Sequence, residues 1–505
     1  MTRPWCWLLL AACSAAWLVF ALSVAPEVSG TDVFIFRDAG WNLASTGSFV
    51  SGALPYTLSL APRLYSHYTP LFPLFFALFL TIFPKNPYAG TVFNLLLGII
   101  AAALTLVWVR RQPPTWYRAA ASASIAILPI AFVTGDRPES LGFILFSIAI
   151  AAAARPKTPA AIVGLLVAIA FLAHPFAGIC SAVWIAALAL PRFFEAPPAR
   201  LLALKQIAIV VISAALPLAA VALIYYRIDP GSLWRFGQHS LGAHSGLGVT
   251  INPGSKTRFA AALHKGFFIS GILTTFLSAM SIAAALLLAA WLLARWRTLS
   301  IAEKLAAAAG LACMAISLVA FPSQFNYLIF LGAAIPVALL IASKSKPSLG
   351  TPALWMLLVF FCAHIPSLVL AEIRLFEERA SFRAARNQPA LLLSHLHSRA
   401  SVVAVSSSGY DLFKPSFDHL VDLDYLSDIP DRSALAGIAV CYIAFPGDAD
   451  TLAPLPPYVD PPSFELIQRA PQHLWITAFG HRIMQRQWGY GCDLYIGRPP
   501  SASER

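Results

Sequence analysis

Charged side chains are scarce in this sequence. Only 11% of its 505 residues are Asp, Glu, Lys or Arg, whereas 58% are hydrophobic. Soluble domains carry about 25% charged residues, and a soluble core cannot use so much apolar surface. The scarcity of charge therefore excludes an ordinary soluble protein and predicts that lipid surrounds most of the chain.

Acidic residues are fewer than basic ones, with 23 Asp and Glu against 35 Lys and Arg, which gives a net charge of +12. Such an excess indicates nucleic-acid binding when the basic residues are clustered. Here they are scattered through short loops between apolar runs, which is how membrane proteins set their orientation. We therefore expect membrane lipids as partners and no nucleic acid.

Cysteine is infrequent as well, and the seven cysteines have no spacing typical of a metal site. Cys441 and Cys492 lie in the C-terminal part, where the sequence leaves open whether they form a disulfide. A glycine-rich nucleotide-binding motif is missing from residues 372–505. The remaining cysteines lie in apolar runs and are typical of small hydrophobic residues: Cys6, Cys13, Cys180, Cys313 and Cys362.

Long apolar runs predict an all-α membrane bundle of about eleven transmembrane helices with a small C-terminal α/β domain. The first run, residues 5–24, predicts a signal anchor with the N-terminus inside. A cleaved signal peptide is the alternative, but no Ala-x-Ala site follows the run closely. The other predicted spans are residues 88–109, 118–134, 139–154, 159–173, 175–191, 205–226, 266–294, 305–321, 327–342 and 350–370.

A shorter apolar run, residues 70–83, decides which side of the membrane every later loop faces. Its length and its internal Pro73 are typical of an interfacial or re-entrant segment. If it does not span, the short inner loops hold a large excess of basic residues; if it spans, that excess moves outside. The positive-inside rule therefore predicts a cytoplasmic N-terminus and an extracytoplasmic C-terminus. The basic residues concerned are Arg110, Arg111, Arg118, Arg155, Lys157, Arg192, Arg200, Lys205, Arg295, Arg297, Lys304, Lys344 and Lys346.

Charge becomes denser after residue 370, and this change predicts two domains. Residues 1–371 form a transmembrane domain, with an outer loop and juxtamembrane helices at 26–87. Residues 372–505 are predicted to form an extracytoplasmic α/β domain. The simplest role for this domain is that of a lid or a packing module. Its helix is predicted near 381–397, its strands at 402–405, 437–445 and 488–496, and a Pro-rich loop at 454–462.

Ionisable side chains are concentrated at the predicted outer ends of the spans rather than along a path through the membrane. Carboxylates, imidazoles and cations from distant loops would thus meet at one membrane face. This arrangement suits a reaction on an anionic, lipid-borne substrate at the outer leaflet. The residues are Asp32, Arg37, Asp38, Arg63, His67, Tyr68, Asp136, Arg137, Glu139 and His174, with Arg235, His239, His244, Lys256, Arg258, His264 and Lys265 in the loop at 227–265.

The segment GTDVFIFRDAGWNLASTGSF at residues 30–49 resembles the first extracytoplasmic loop of the GT-C membrane glycosyltransferases. This family includes protein O-mannosyltransferases and the aminoarabinose transferases that modify lipid A. In its members an Asp follows the first span, an aromatic residue lies four positions later, and a Gly lies about fifteen positions after the Asp. Asp32, Phe36 and Gly47 keep that spacing.

Two further segments carry the resemblance. Residues 65–76, YSHYTPLFPLFF, are similar to the juxtamembrane Y-x-P-L stretch of the family. Residues 135–141, GDRPESL, resemble the short outer loop that brings a second acid to the site, and His174 stands where many members carry a Lys. The resemblance implies a GT-C fold and transfer of a sugar from a polyprenyl-phosphate donor to a lipid, glycan or protein acceptor.

The expected roles follow from residue chemistry. The departing lipid phosphate needs cations, the acceptor hydroxyl needs a carboxylate base, and the isoprenoid tail needs an apolar groove. We expect Asp32 to be the catalytic base, with Asp38 sharing or supporting that role. The resemblance leaves the use of a divalent metal ion open. The expected substrate- and phosphate-binding residues are Arg63, His67, Tyr68, Asp136, Arg137, Glu139, His174, His239, Lys256 and Arg258.

Structural interpretations of the same residues stay open. Asp32 can cap the helix that follows it, Asp136 and Glu139 suit a helix start, and His174 can be satisfied within a helix turn. A transporter or lipid flippase is the alternative function, and a non-catalytic membrane scaffold is a third. A transporter predicts ionisable residues near the membrane midplane and an internal repeat, and we find neither in the sequence.

Overall fold

The helices of the chain follow its apolar runs. A computed structural model describes residues 3–23, 26, 32–52, 64–65, 68–109, 137–194, 197–233, 272–320, 325–343, 346–405, 409–423, 438–442, 464–469, 475–478, 481–485 and 492–497. The N-terminal helices are α1 (Arg3–Ser23), α2 (Asp32–Phe36), α3 (Asp38–Thr46), α4 (Leu71–Leu80), α5 (Ala89–Val109), α6 (Glu139–Ala153), α7 (Ala160–Ala173), α8 (Pro175–Ala189) and α9 (Pro197–Ile228). They are followed by α10 (Ile272–Ala294), α11 (Ile301–Ala320), α12 (Phe325–Ala342) and α13 (Gly350–Ala385).

Each predicted span coincides with a helix, apart from residues 118–134, which lie outside the described residues. Within the described ranges, five helices are long and apolar enough to cross a membrane: α1, α5, α8 with the short helix Leu190–Phe194 that extends it, α9 and α11. The other apolar stretches at predicted spans are shorter, so the number eleven is not confirmed and stays a prediction.

The short apolar run before α5 forms a helix that cannot span. Helix α4 has ten residues, which corresponds to about 15 Å, whereas the hydrocarbon core of a bilayer is about 30 Å thick. It packs along α3, where the Phe76 ring lies 6.2 Å from Trp41, and against α5, where the same ring lies 5.2 Å from Phe93. The length of α4 agrees with the non-spanning segment that the charge pattern predicts.

The C-terminal part contains a five-stranded mixed sheet. Its strands run in the order β2-β1-β3-β7-β4, with β1 parallel to β2 and β3, and with β7 antiparallel to β3 and β4. A separate ribbon pairs β5 with β6. The elements are α14 (Gln388–Leu396), β1 (Val402–Val405), α15 (Tyr410–Phe413), β2 (His419–Asp422), β3 (Ala439–Tyr442), β4 (Phe464–Gln468), β5 (Trp475–Ala478), β6 (His481–Gln485) and β7 (Asp493–Gly497).

The predicted strands at 402–405, 437–445 and 488–496 correspond to β1, β3 and β7, although β7 begins only at Asp493. The remaining strands have four or five residues with no clear alternation, and the sequence analysis missed them. The predicted loop at 454–462 lies outside the described residues.

A disulfide joins Cys441 on β3 to Cys492, just before the neighbouring strand β7. The two Cα atoms are 5.3 Å apart, and both residues are buried. The sequence left this pairing open because it did not reveal which strands are neighbours. The bond ties together chain segments separated by 51 residues.

Helix α13 connects the bundle to the sheet without interruption. Its 36 residues correspond to a rise of about 54 Å, well beyond the thickness of a hydrocarbon core. The predicted domain boundary at residue 372 therefore falls inside a continuous helix.

Helix α2 lies between two hydrophobic cores. Val33 and Phe34 belong to the core of the C-terminal sheet, where the Phe34 ring lies 5.0 Å from Tyr410. Phe36 belongs to the core of the helix bundle. Because successive residues of a helix point in different directions, this single turn contacts both cores at once.

A buried ion cluster joins the same two parts of the chain. Arg37 donates through one nitrogen to both carboxylate oxygens of Asp411, at 3.0 and 2.8 Å. Lys414 pairs with Asp38 at 2.9 Å, and the Tyr410 hydroxyl donates to Asp38 at 2.9 Å. The cluster contains two cations and two carboxylates, all buried, so its charges are balanced.

We expect Lys414→Met to destabilise the attachment of the C-terminal sheet strongly. The substitution leaves Asp38 buried beside a thioether, and removing one partner of a buried ion pair costs about 3–5 kcal/mol. Thermal unfolding and limited proteolysis of the purified chain would measure the loss.

Arg399→Met is the matched control, because Arg399 is 59% exposed and its nearest oxygen on Asp418 is 4.0 Å away. Such a surface pair contributes roughly 0–1 kcal/mol. Equal stability of the two variants would contradict the importance of the buried cluster.

Candidate functional site

An arginine and a glutamate form an ion pair where α6 begins. Nε of Arg137 donates to Oε1 of Glu139 at 2.8 Å. The Glu139 side chain is 1% exposed, whereas Arg137 is 14% exposed. Pro138 occupies the N-cap position, and a carboxylate in the first turn is favoured by the helix dipole. The pair therefore holds a cation at a helix start, within reach of molecules from outside the bundle.

Arg137 also contacts the loop that follows the first span. Its guanidinium carbon lies 5.4 Å above the centre of the Phe36 ring, in the geometry of a cation–π contact. Phe36 is the last residue of α2, which begins at Asp32. The side chain of Arg137 thus meets the end of the helix whose first residue is the predicted base.

Tyr68 brings a third segment to the site. Its ring packs edge-on against Phe36 at 4.9 Å, and its hydroxyl lies 3.4 Å from the hydroxyl of Tyr327 on α12. Burial raises the pKa of Tyr68 well above its ordinary value, and nearby Tyr327 and Glu139 add to the shift. Tyr68 is therefore a neutral hydroxyl at physiological pH.

His174 lies between α7 and α8 and is fully buried. Its Nδ1 accepts a hydrogen bond from the Ala177 amide at 3.2 Å, which caps α8. Its ring stacks on Phe330 at 5.5 Å and meets the Tyr327 ring at 5.1 Å. One of the two ring nitrogens of His174 thus has a hydrogen-bond partner within the helix turn, as the structural interpretation expects.

The other ring nitrogen of His174 has no hydrogen-bond partner in the described part of the chain. Burial and, to a smaller extent, the positive charge of Arg137 together lower the pKa of His174 to about 3. The imidazole is therefore neutral, and because Nδ1 is an acceptor, the proton resides on Nε2. Nε2 is therefore a buried donor that has no acceptor among the described residues.

Helix α6 passes close to His174 because it has a glycine there. A Cβ atom on Gly142 would lie 2.8 Å from Cβ of His174 and 3.3 Å from Cβ of Ala177. Real Cβ contacts are longer than the first of these distances. Gly142 therefore sets how closely the α7–α8 turn approaches the Arg137–Glu139 pair.

The two predicted catalytic carboxylates occupy different positions. Asp32 is the first residue of α2. Asp38 is fully buried in the ion cluster, where Oδ1 contacts Tyr410 and Lys414. Its Oδ2 accepts from the Gly52 amide at 2.6 Å and from the side chain of Asn42 at 3.1 Å. This environment corresponds to the supporting role that the sequence left open for Asp38.

The structure brings together Tyr68, Arg137, Glu139 and His174, four of the expected binding residues. No group of three His, Cys, Asp or Glu side chains in the described ranges could hold a metal ion. The other predicted site residues lie outside the described residues: Arg63, His67, Asp136, His239, Lys256 and Arg258.

The sequence analysis missed Tyr327 and Phe330, which enclose His174. Both lie in the first part of α12, and aromatic residues at span ends are usually interfacial anchors. It also missed Asp411 and Lys414 of the ion cluster, because an ion pair between residues more than 370 positions apart leaves no local pattern.

We expect Gly142→Ala to displace the His174 turn and to lower the stability of the chain. Forcing an extra methyl group into a packed site costs about 1–3 kcal/mol. Ser147→Ala on the same helix is the control, since the buried Ser147 hydroxyl has no hydrogen-bond partner among the described residues and its loss should be nearly neutral. Identical melting temperatures of the two variants would show that α6 and the turn are not in tight contact.

No protein-family model and no curated protein matches this sequence. Among solved structures, the chain is similar to the apo oligosaccharyltransferase of Archaeoglobus fulgidus, with a TM-score of 0.45 and 12% identity over 85% of this chain and 66% of that chain. It thus spans just under two thirds of the length of the archaeal enzyme. Apo ArnT from Cupriavidus metallidurans gives a TM-score of 0.43 and 13% identity over 87% of this chain and 93% of that chain.

Proposed function

We propose that this chain is a membrane glycosyltransferase that moves a sugar from a lipid-linked phosphate donor to an acceptor. The contact between Arg137 and Phe36 carries the proposal, because it joins two loops that are about 100 residues apart in sequence. One of these loops begins α2 with the carboxylate residue Asp32, and the other supplies a cation. An acid and a cation are the two groups that this transfer needs.

Arg137 is the group proposed to bind the donor phosphate. A guanidinium is always charged and can contact a phosphate through two parallel hydrogen bonds. The contact with Glu139 fixes the orientation of its plane, and its partial exposure leaves it accessible. Its positive charge would stabilise the phosphate as that group leaves.

Asp32 is proposed as the base. In an inverting single displacement, its carboxylate takes the proton of the acceptor hydroxyl while the hydroxyl oxygen attacks the anomeric carbon of the sugar. The bond between that carbon and the phosphate oxygen breaks, and its electron pair departs with the lipid phosphate. The position of Asp32 at the start of α2 matters because both hydrophobic cores hold this helix.

Tyr68 and His174 are proposed to bind and orient the donor. Both are neutral at physiological pH, so they can donate hydrogen bonds without adding charge to the site. Asp38 is proposed as a positioning residue, since Lys414, Tyr410 and Gly52 already engage both of its oxygens. The remaining proposed binding residues are Arg63, His67, Asp136, His239, Lys256 and Arg258.

We further propose that the C-terminal sheet and the site lie on the extracytoplasmic side. The distribution of basic residues in the loops supports this orientation. The buried Cys441–Cys492 disulfide supports it independently, because such bonds persist in oxidising compartments and are rare in the cytosol.

Asp32→Asn should abolish sugar transfer while leaving the protein folded, because an amide cannot take the acceptor proton. The measurement is transfer or release of radiolabelled sugar from a polyprenyl-phosphate sugar by the purified chain. Asp418→Asn, which changes a partly exposed carboxylate on the C-terminal sheet, is the matched control and should keep full activity. Full activity of Asp32→Asn would overturn the assignment of the base, and no transfer by the unaltered chain from any donor tested would overturn the proposed function.

If the C-terminal sheet lies outside the cytoplasm, Cys441 and Cys492 should be joined in a disulfide in cells. In protein taken from cells under denaturing conditions, two thiols should react with a maleimide mass tag only after reduction, and Cys441→Ser with Cys492→Ser should remove both. A C-terminal epitope should be accessible to externally added protease in spheroplasts. Reaction of all seven thiols before reduction, together with a protected epitope, would place the sheet in the cytoplasm instead.

A further inference from the structure

A pocket lies at the far end of the helices that build the candidate site. Helix α6 begins at the site with Glu139 and ends at this pocket with Ala153. Its 15 residues correspond to a rise of about 22 Å. Helices α7 and α8 also run from the candidate site to the pocket. His174 joins them at the candidate site, whereas Ala160 of α7 and Ala189 of α8 line the pocket.

The pocket combines cations with an apolar floor. Its cavity has a volume of about 100 Å³. Its lining includes Arg155, which follows α6, Arg192, which follows α8, and Gln206 of α9. Because it has two arginines, we call this cavity the arginine pocket. Val163, Ile185 and Val210 form apolar parts of its wall.

The two arginines of the pocket are not neutralised within the described residues. Arg192 donates to the Gln206 side chain at 2.5 Å, and both residues line the cavity. No side-chain hydrogen bond or ion pair of Arg155 occurs in the described part of the chain, and no carboxylate lines the pocket there. The arginine pocket therefore presents two cations without an acidic partner of their own.

Helix α9 opens the pocket toward lipid. The apolar side chains along this helix are largely uncovered, and Leu204 and Val211, on either side of the lining residues Gln206 and Ile207, are 52% and 58% exposed. In a membrane protein such side chains face acyl chains. A molecule with an anionic head and an apolar tail would match both surfaces.

We propose that the arginine pocket binds the phosphate headgroup of an anionic membrane phospholipid, with the acyl chains lying along α9. Basic pockets between transmembrane helices on the cytoplasmic side are suited to such headgroups. On the predicted topology this end of the bundle faces the cytoplasm. The proposal is independent of the proposed glycosyl transfer, because the pocket lies at the opposite end of α6.

The test compares lipid binding to the purified full chain in detergent. Fluorescent phosphatidylglycerol and phosphatidylcholine are titrated against the unaltered chain and against the double variant Arg155→Gln with Arg192→Gln. We expect the unaltered chain to prefer phosphatidylglycerol. We expect each arginine to contribute about fivefold to that preference, the typical effect of one basic residue near an anionic lipid surface.

Arg295→Gln with Arg297→Gln is the matched control. Both residues are exposed in the turn between α10 and α11, outside the pocket and at the same end of the bundle. This variant loses the same charge but should keep the preference. An equal loss in both double variants would reduce the effect to general surface charge and overturn the proposal.

Inorganic phosphate distinguishes a lipid from a free anion. Because phosphate lacks acyl chains, it should compete only weakly with phosphatidylglycerol. Phosphate that binds as tightly as the lipid would show a site for a soluble anion and would also overturn the proposal. The melting temperature of each variant checks that the exposed substitutions leave the fold intact.

Discussion

The buried ion cluster of Arg37, Asp38, Asp411 and Lys414 holds the site together. Helix α2 has five residues, far fewer than the roughly 12 that an isolated helix needs for even marginal stability. It persists because Val33 and Phe34 fill one core, Phe36 fills another, and the charges that follow are neutralised from the C-terminal sheet. The position of the proposed base thus depends on residues almost 400 positions away in sequence.

The side chains of the candidate site and those of the ion cluster have different surroundings. Arg137 and His174 lie beside aromatic rings and the Glu139 carboxylate. Around Asp38 every oxygen is engaged, which leaves a rigid support. Two acidic residues in one short segment, Asp32 and Asp38, are thus separated into a proposed reactive group and a structural one by the partners of Asp38.

Hydropathy predicted the helices well because membrane helices are long and their apolar character is a local property. The charge pattern of the loops predicted that residues 70–83 do not span, and α4 is too short to do so. The sequence placed Tyr68, Arg137 and His174 at the same membrane face, and the structure brings them together. It did not indicate that Lys414 would pair with Asp38. Partners such as Tyr327, Asp411 and the Cys441–Cys492 pair depend on which distant segments become neighbours, and a single sequence contains no local signal for that. Short strands were missed for a related reason, since four residues are too few to show a period.

Helix α13 and the ion cluster together mount the C-terminal sheet at two separate points. Helix α13, which contains Pro366 in its interior, is one attachment, and the cluster fixes a second place on the same body. Because the sheet is attached to the bundle at two places, one attachment cannot move without straining the other. Swinging the sheet away from the bundle would therefore require the buried charges to separate, and removing one partner of a buried ion pair costs about 3–5 kcal/mol.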